Sequence, residues 1–402
     1  MNKKLVAVAV AGMLAVPLAA QAQTANVTLY GRVNIDMEVV NVRQDQGVGS
    51  PKENMFFVKS NSSRLGVRGS EALGGGLSAI FQIESSVGAA NGGGLGATLG
   101  TRETFVGLQG GWGTLKGGYF LTPYDDIHPI FGNVPTLGTS ILGTQALWSN
   151  TGWSGNSQYG GAFDDRAANS IRYDSPNLAG FTGSVQIGSA VSGGDPTNTA
   201  TTLEAQRKHG YMVSLNGLYN NGPFQGGIAY EVHNNFRPQT LASIPKLKDQ
   251  GFTGAASWNF GVVKIGGVFE RVKYDVNAGG TMQRNFWGGA VTWNLGPGQL
   301  YAMYGQAQNG TGSAAAGSQV GAVRLGPNTG ARQYEVSYTY ALSKRTLMYA
   351  GYVRIDNRSN GAYNFGVNAI GGACLPTNLQ ITLACGDSAK PQGIITGLVH
   401  FF

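Results

Sequence analysis

The sequence predicts an all-β protein: a sixteen-stranded antiparallel transmembrane β-barrel with a hydrocarbon-facing outside and a wet, hollow centre. Three observations predict it. Apolar residues recur with a period of two along most of the chain. Short turns alternate with long polar connections. Charged residues make up only 12%, about half the usual share of ~25%, while 64 of 402 residues are Gly and 10% are aromatic. Abundant, evenly spread aromatic and β-branched residues argue against a disordered Gly-rich chain.

The chain opens with Asn2-Lys3-Lys4, an apolar run from Leu5 to Ala19 and the small-x-small triplet Ala20-Gln21-Ala22. That is the pattern of a cleaved secretory signal peptide over residues 1–22, leaving one barrel domain over residues 23–402. Removing Lys3 and Lys4 leaves 26 basic and 21 acidic residues, a charge of +5 instead of +7. No later stretch has the ~18 consecutive apolar residues that a transmembrane helix needs.

Six segments show the strand pattern clearly. Val27-Leu29-Gly31-Val33-Ile35-Met37 alternates with Thr28-Tyr30-Arg32-Asn34-Asp36-Glu38. The others run from Phe181 to Gly188, Tyr211 to Tyr219, Gly251 to Phe260, Trp287 to Leu295 and Gln333 to Leu342. Their apolar faces carry no Asp, Glu, Lys, Arg or His, as a lipid-facing surface requires when a Lys or Arg at mid-bilayer costs about 2–4 kcal/mol. Tyr and Trp gather near segment ends, where interfacial girdles sit.

Connections of two lengths join the strands. Short turns fall at Glu71 to Gly76, Gly110 to Gly113, Ser175 to Gly180, Asn220 to Pro223, Asn259 to Gly261, Leu295 to Gly298 and Ala341 to Arg345. Long polar stretches fall near 43–55, 88–100, 125–168, 190–208, 233–249, 275–283, 308–330 and 357–392. Seven turns and eight loops give sixteen strands, with short turns at the periplasmic end and both termini there. Such a barrel is too wide for side chains to fill and encloses water. A β-propeller would show blade-length repeats, and none is present.

The same segments resemble the general porins of β-proteobacteria, the Neisseria and Burkholderia type. The similarity lies in VTLYG from Val27, SSRLGVRGSEALGGGLSAIFQIES from Ser62, FVGLQGGWGTLKGGYFLTP from Phe105, NSIRYDSPNLAGF from Asn169, LSKRT from Leu342 and the closing Leu398 to Phe402. The resemblance implies a sixteen-stranded barrel, a homotrimer, and a third loop folded inward to narrow the channel. It implies a water-filled channel for passive diffusion of small hydrophilic solutes and ions, set in outer-membrane lipid and lipopolysaccharide. The terminal aromatic Phe402, ending the alternating Thr396-Leu398-His400-Phe402, resembles the strand that the barrel assembly machinery reads. Val399 and Phe401 stand where the family commonly carries basic residues.

Within that frame the third loop, about Asp125 to Ala168, is expected to form the constriction, with Asp125, Asp126, Asp164 and Asp165 turned to the lumen. By alternation Arg32, Arg64, Arg68, Lys116, Arg172 and Arg354 point inward, partly offset by Glu38, Glu84 and Glu335. Arg64 and Arg172 match the family's wall arginines most closely. Arg102 is a further candidate whose parity conflicts with Thr104, Val106 and Leu108 unless a bulge intervenes. Two unit charges ~10 Å apart in water interact by only about 0.4 kcal/mol, less in salt. Four clustered cations reach roughly 1–2 kcal/mol, a several-fold bias. The expectation is therefore a weak anion preference.

Cys374 and Cys385 share the last long loop, where an oxidising envelope favours a disulfide. Their spacing does not suit a metal, and no metal or other cofactor is expected. His128, His209, His233 and His400 are the only histidines; none lies in a metalloprotease motif, and no G-x-S-x-G or phosphate-binding loop occurs. The basic residues are too scattered for nucleic-acid binding. A substrate-specific channel and a structural or adhesive surface barrel are the two other classes that fit these observations.

Overall fold

The computed structural model describes residues 26–43, 54–90, 93–95, 99–132, 138, 140–149, 162–189, 210–235, 247–276, 279–366 and 388–402. The signal segment 1–22, His209 and the pair Cys374 and Cys385 lie outside them.

Sixteen antiparallel strands pair in chain order and close on themselves. They are β1 (Asn26–Arg43), β2 (two arms, Met55–Ser60 and Arg64–Gly74), β3 (Leu77–Gly88), β4 (Thr104–Gly110), β5 (Gly113–Leu121), β6 (Arg166–Asp174), β7 (Phe181–Ser189) and β8 (Tyr211–Asn221). The second half comprises β9 (Phe224–Asn234), β10 (Lys248–Asn259), β11 (Val263–Asp275), β12 (Thr281–Leu295), β13 (Gly298–Ala307), β14 (Ala331–Ala341), β15 (Thr346–Asn357) and β16 (Lys390–Phe401). All seven expected short turns join neighbouring strands, and each break between these hairpins falls at one of the expected long loops.

Closure is visible at the C-terminus. β1 pairs β16 from Arg32↔Phe401 to Arg43↔Lys390, and it pairs both arms of β2 on its other edge. Gly31 and Phe402 exchange two backbone hydrogen bonds of 3.1 Å. The Phe402 ring lies over Gly31, where a Cβ would come within 2.5 Å of it. Only Gly fits there, so the VTLYG glycine and the terminal aromatic form one contact.

The two arms of β2 meet at Asn61-Ser62-Ser63, where Ser62 takes φ 53°. Arg32 closes this kink by donating Nε to the Ser62 carbonyl at 3.1 Å and Nη2 to the Asn61 carbonyl at 3.4 Å. Ser63 bonds both the N–H and the carbonyl of Asn34. Buried backbone carbonyls that leave the ladder thus keep donors.

The outer surface is as apolar as the alternation predicts. Leu29, Val106, Ile171, Phe181, Ile187, Ile228, Phe252, Trp287, Val336 and Ile394 are all exposed. Aromatic rings form two belts. Near the short turns, Phe181, Tyr219, Phe224, Trp258 and Phe260 follow one another at centroid spacings of 4.3–6.4 Å. Toward the loop end, Trp287, Tyr304 and Tyr334 step across three strands at 5.4 Å each. These are interfacial girdles at the two ends of a lipid-facing band.

Inside, the barrel is divided. The third loop leaves β5, makes a 3₁₀ turn (Asp125–Ile127) and a one-turn helix α1 (His128–Phe131), then a second 3₁₀ turn (Thr144–Ala146), before entering β6. Its Tyr124, Ile127, Phe131, Ile141, Leu142, Leu147, Trp148 and Phe163 are buried in one cluster with inward residues of the wall from β9 round to β16. Wall glycines seat them. A Cβ on Gly227, Gly251, Gly288, Gly351 or Gly393 would come within 2.7–3.0 Å of Ile127, Phe163, Phe131, Leu142 or Ile141 respectively. Much of the glycine excess on this arc therefore makes room for the loop.

Candidate functional site: a basic wall facing an anchored loop

The strands that the loop does not cover carry most of the inward cations; on covered strands, Lys264 of β11 and the buried Arg284 of β12 are the exceptions among the described residues. Inward-facing Arg32, Arg64 and Arg68 come from β1 and β2, Lys116 from β5 and Arg172 from β6. Glu84 on β3 is the acid among them. It accepts from Arg64 Nη1 at 3.1 Å and Arg102 Nε at 2.6 Å, and from the Tyr30 hydroxyl at 3.0 Å. Arg102 lies just before β4 begins; its N–H bonds the Glu84 carbonyl at 3.0 Å while the Glu84 N–H bonds the Glu103 carbonyl at 3.1 Å, so two residues stand opposite one, as in the bulge that its parity calls for. Arg64 and Arg166 add like charge beside Arg102. Arg68 stacks its guanidinium on Tyr30 at 5.0 Å. Tyr30, Arg32, Arg64, Arg68, Gln82, Glu84 and Phe401 line one cavity of about 320 Å³. Phe401 and Val399 both face inward, so the two positions at which the family commonly carries basic residues are apolar here.

Arg354 is a correction. It lies on the outer face of β15, between Tyr334 and Gln392, and pairs with Asp356 at 2.6 Å. The polarity rule reverses on this strand for a physical reason. The inward residues Tyr349, Val353 and Ile355 are buried in the loop's apolar cluster, and Leu142 sits on inward Gly351. With an apolar inner face, the charged residues near the outer end of the strand belong to the outside.

The loop acids do not form one lumenal row. Asp126 accepts from Arg172 Nη2 at 2.6 Å and Asn216 Nδ2 at 2.8 Å, tying the loop to β6 and β8. Arg172 also bonds Asp174 and the Leu121 carbonyl, and Lys116 reaches Asp174 at 3.3 Å. Asp125 is part exposed and lies 3.3 Å from His128 Nδ1. Asp164 is buried rather than lumenal: its side chain is 3% exposed. Burial, with Asp125, Asp165 and Glu270 adding negative charge, pushes its carboxyl well above the usual carboxylate range. Asp165 holds the loop's end, its carbonyl accepting the Thr122 N–H at 3.2 Å.

Sequence reasoning missed the anchor of the loop. Glu270 on β11 and Arg284 on β12 are both fully buried and pair at 2.9 Å. Glu270 also accepts from the Tyr124 hydroxyl at 2.8 Å and the Ser149 N–H at 2.9 Å, while Arg284 donates to the Leu147 carbonyl. Trp148 Nε1 bonds Thr253, Gln333 bonds the Gly143 carbonyl, and the Tyr301 hydroxyl bonds the Phe131 carbonyl. The signal was there: opposite charges at inward parity on adjoining strands otherwise lined with apolar residues.

Comparisons with known proteins agree with this architecture. A family model described as Gram-negative porin matches residues 7–360. The outer membrane porin protein 32 of Delftia acidovorans is 29% identical, over 92% of this chain and 96% of that one. The major outer membrane protein P.IA of Neisseria meningitidis is 33% identical, over 58% of this chain and 60% of its own. An anion-selective porin from Comamonas acidovorans superposes with TM-score 0.68 at 20% identity, covering 94% of this chain and all of that one. The trimer form of OmpT from Vibrio cholerae gives TM-score 0.61 at 14% identity, over 94% of this chain and 99% of its own. A closed sixteen-strand barrel with an inward third loop, matched over most of its length by that family model, places the chain in the Gram-negative porin family, as a channel of the outer membrane.

Proposed function

We propose that this porin conducts small hydrophilic solutes and ions passively, with a weak preference for anions, as a homotrimer without enzymatic activity. One observation carries the preference. Arg64, Arg68 and Arg102 cluster on the uncovered arc around a single acid, Glu84, while the buried Arg32 serves the β2 kink. Across from them, Asp126 is neutralised by Arg172 and Asp164 is buried. Cations on the wall thus outnumber the acids that water and passing ions reach. The solved Comamonas porin of similar fold is described as anion-selective, and the OmpT relative forms a trimer, which supports both parts of the reading.

Residues 1–22 act as the export signal, and Phe402 on its closing strand is what the assembly machinery engages. Outer-membrane lipid and lipopolysaccharide surround the barrel. Candidate pore residues are Arg64, Arg68, Arg102 and Lys116, with Asp125 from the loop.

The test is the reversal potential of single channels in a salt gradient. The expected bias is about two- to fivefold toward chloride, from roughly 1 kcal/mol of summed field. Glu84→Gln removes the one neutralising acid and raises that bias. A cation preference in the unaltered protein, or no response to Glu84→Gln, refutes the proposal.

A further inference from the structure

We infer that loop 3 carries a site for a divalent transition-metal ion, built from Asp125, His128 and Asp164. Asp125 and His128 are three residues apart on the turn that becomes α1, so both project from one face. Asp164 arrives from the far limb of the loop. One donor atom from each of the three lies within 4.8 Å of the other two.

Two independent details point to a ligand. His128 is 8% exposed and its Nδ1 has no hydrogen-bond partner, although Asp125 Oδ1 stands 3.3 Å away. Asp164 is 7% exposed and its Oδ1 is also without one. Buried polar atoms are nearly always satisfied, and the basic group beside Asp164 is the His128 imidazole, 3.8 Å away at Nε2.

The geometry suits a small ion. Tetrahedral zinc with bonds of about 2.0–2.1 Å holds its donors roughly 3.3–3.5 Å apart, which is the His128–Asp125 spacing. The other approaches shorten by about an ångström through side-chain rotation. Ser149 Oγ lies 3.0 Å from His128 Nε2, and Trp148 packs edge-on at 4.1 Å. Those contacts fix the ring with Nδ1 toward Asp125, while Asp164 Oδ2 stands 3.8 Å from Nε2. Imidazole with carboxylates selects zinc, nickel or copper over calcium or magnesium. Three protein donors with part-exposed Asp125 leave a fourth position for water.

Such an ion joins the two limbs of the loop and offsets the charge of two aspartates. It therefore stiffens the loop and shifts ion preference further toward anions. Binding is independent of the preference proposed above and is measured separately.

The experiment uses the intact channel, purified in detergent without a histidine tag. Zinc is titrated calorimetrically and cobalt by its visible absorption. Saturable binding of one ion per chain is expected, with the bands of a tetrahedral complex. His128→Ala and Asp164→Asn weaken it by at least about tenfold. Asp125→Asn, at a part-exposed position, supplies the same comparison if either buried variant fails to assemble. Zinc moves the reversal potential of the unaltered channel toward anions and leaves that of Asp164→Asn unmoved. Absence of saturable binding, or binding that survives these substitutions undiminished, overturns the inference.

Discussion

Substituting Glu270 by Gln isolates what holds the third loop in place. Glu270 and Arg284 have side chains 0% exposed, and Glu270 accepts hydrogen bonds from Arg284, Tyr124 and Ser149. Glutamine keeps an acceptor for the Tyr124 hydroxyl and the Ser149 N–H but leaves the Arg284 cation without its counter-charge. Breaking a buried pair from one side costs about 3–5 kcal/mol. The barrel's ladder is untouched, so the cost falls on the loop's docked state. A shift of ~3 kcal/mol changes the ratio of docked to displaced loop about a hundredfold. Single-channel records should then show frequent current excursions that the unaltered protein lacks, at ordinary folding yield. The double variant Glu270→Gln with Arg284→Met removes the stranded charge. It loses only hydrogen bonds, worth about 1–2 kcal/mol in net terms, and most of the quiet baseline should return. If the single variant is as quiet as the parent, or the double variant is noisier than the single, the loop is not held by this pair.

Three further outcomes follow from the same geometry. Gly351→Leu drives a side chain into Leu142, since even a Cβ would lie 2.8 Å from it; the loop should lift from β15, with conductance changed and its noise increased, while barrel assembly by heat-shifted gel migration is retained. Gly31→Val collides with the Phe402 ring and the Arg64 carbonyl, each 2.5 Å from a Cβ, so folding yield in detergent should drop several-fold and, with the ring's share removed by Phe402→Ala, recover partly; an unchanged yield counts against the closure contact. Arg354→Ala removes an outward, Asp356-paired charge and should leave the reversal potential where it was. A measurable shift there would place Arg354 back in the lumen.

The barrel was legible because hydrocarbon imposes a strict rule on one face. Six alternating segments, seven turns and eight loops follow from period two and turn chemistry; the structure has the segments and turns, and its strand breaks fall at the loops. The inner face obeys no single rule, and that is where sequence reasoning slipped. On the uncovered arc the wall is wet, and Arg64, Arg68, Lys116 and Arg172 stand where alternation puts them. On the covered arc the loop replaces water: apolar Val272, Phe286, Val353 and Ile355 stand among buried polar residues such as Thr253, Glu270, Arg284 and Gln333 that bond the loop. Alternation therefore put Arg354 in the lumen, whereas the inward residues there are the apolar Val353 and Ile355. Arg32 also points inward, yet two backbone carbonyls of the β2 kink take up its guanidinium, which no one-strand pattern reveals. Contacts between distant segments, such as Asp126 with Arg172 or Asp164 beside His128, have no local spacing to betray them.

The division of the wall also accounts for the composition. A barrel lined all round with water would need polar side chains on every inward position, and its glycines would only weaken the strands. Here five inward glycines on β9, β10, β12, β15 and β16 receive Ile127, Phe163, Phe131, Leu142 and Ile141. Burying those five large side chains at about 1.5–3 kcal/mol each offsets the strand entropy lost at five glycines, roughly 0.5–1 kcal/mol apiece. The balance favours a loop lying flat against one side of the lumen, and leaves Arg64, Arg68, Arg102 and Lys116 on the other, with Lys264 of β11 near the short-turn end. Position of the loop and sign of the channel are thus consequences of one packing decision. A variant that lifts the loop without altering any charge, Gly351→Leu above all, should therefore weaken ion preference along with raising noise. Preference unchanged in such a variant would separate the two and leave the arginine arc acting alone.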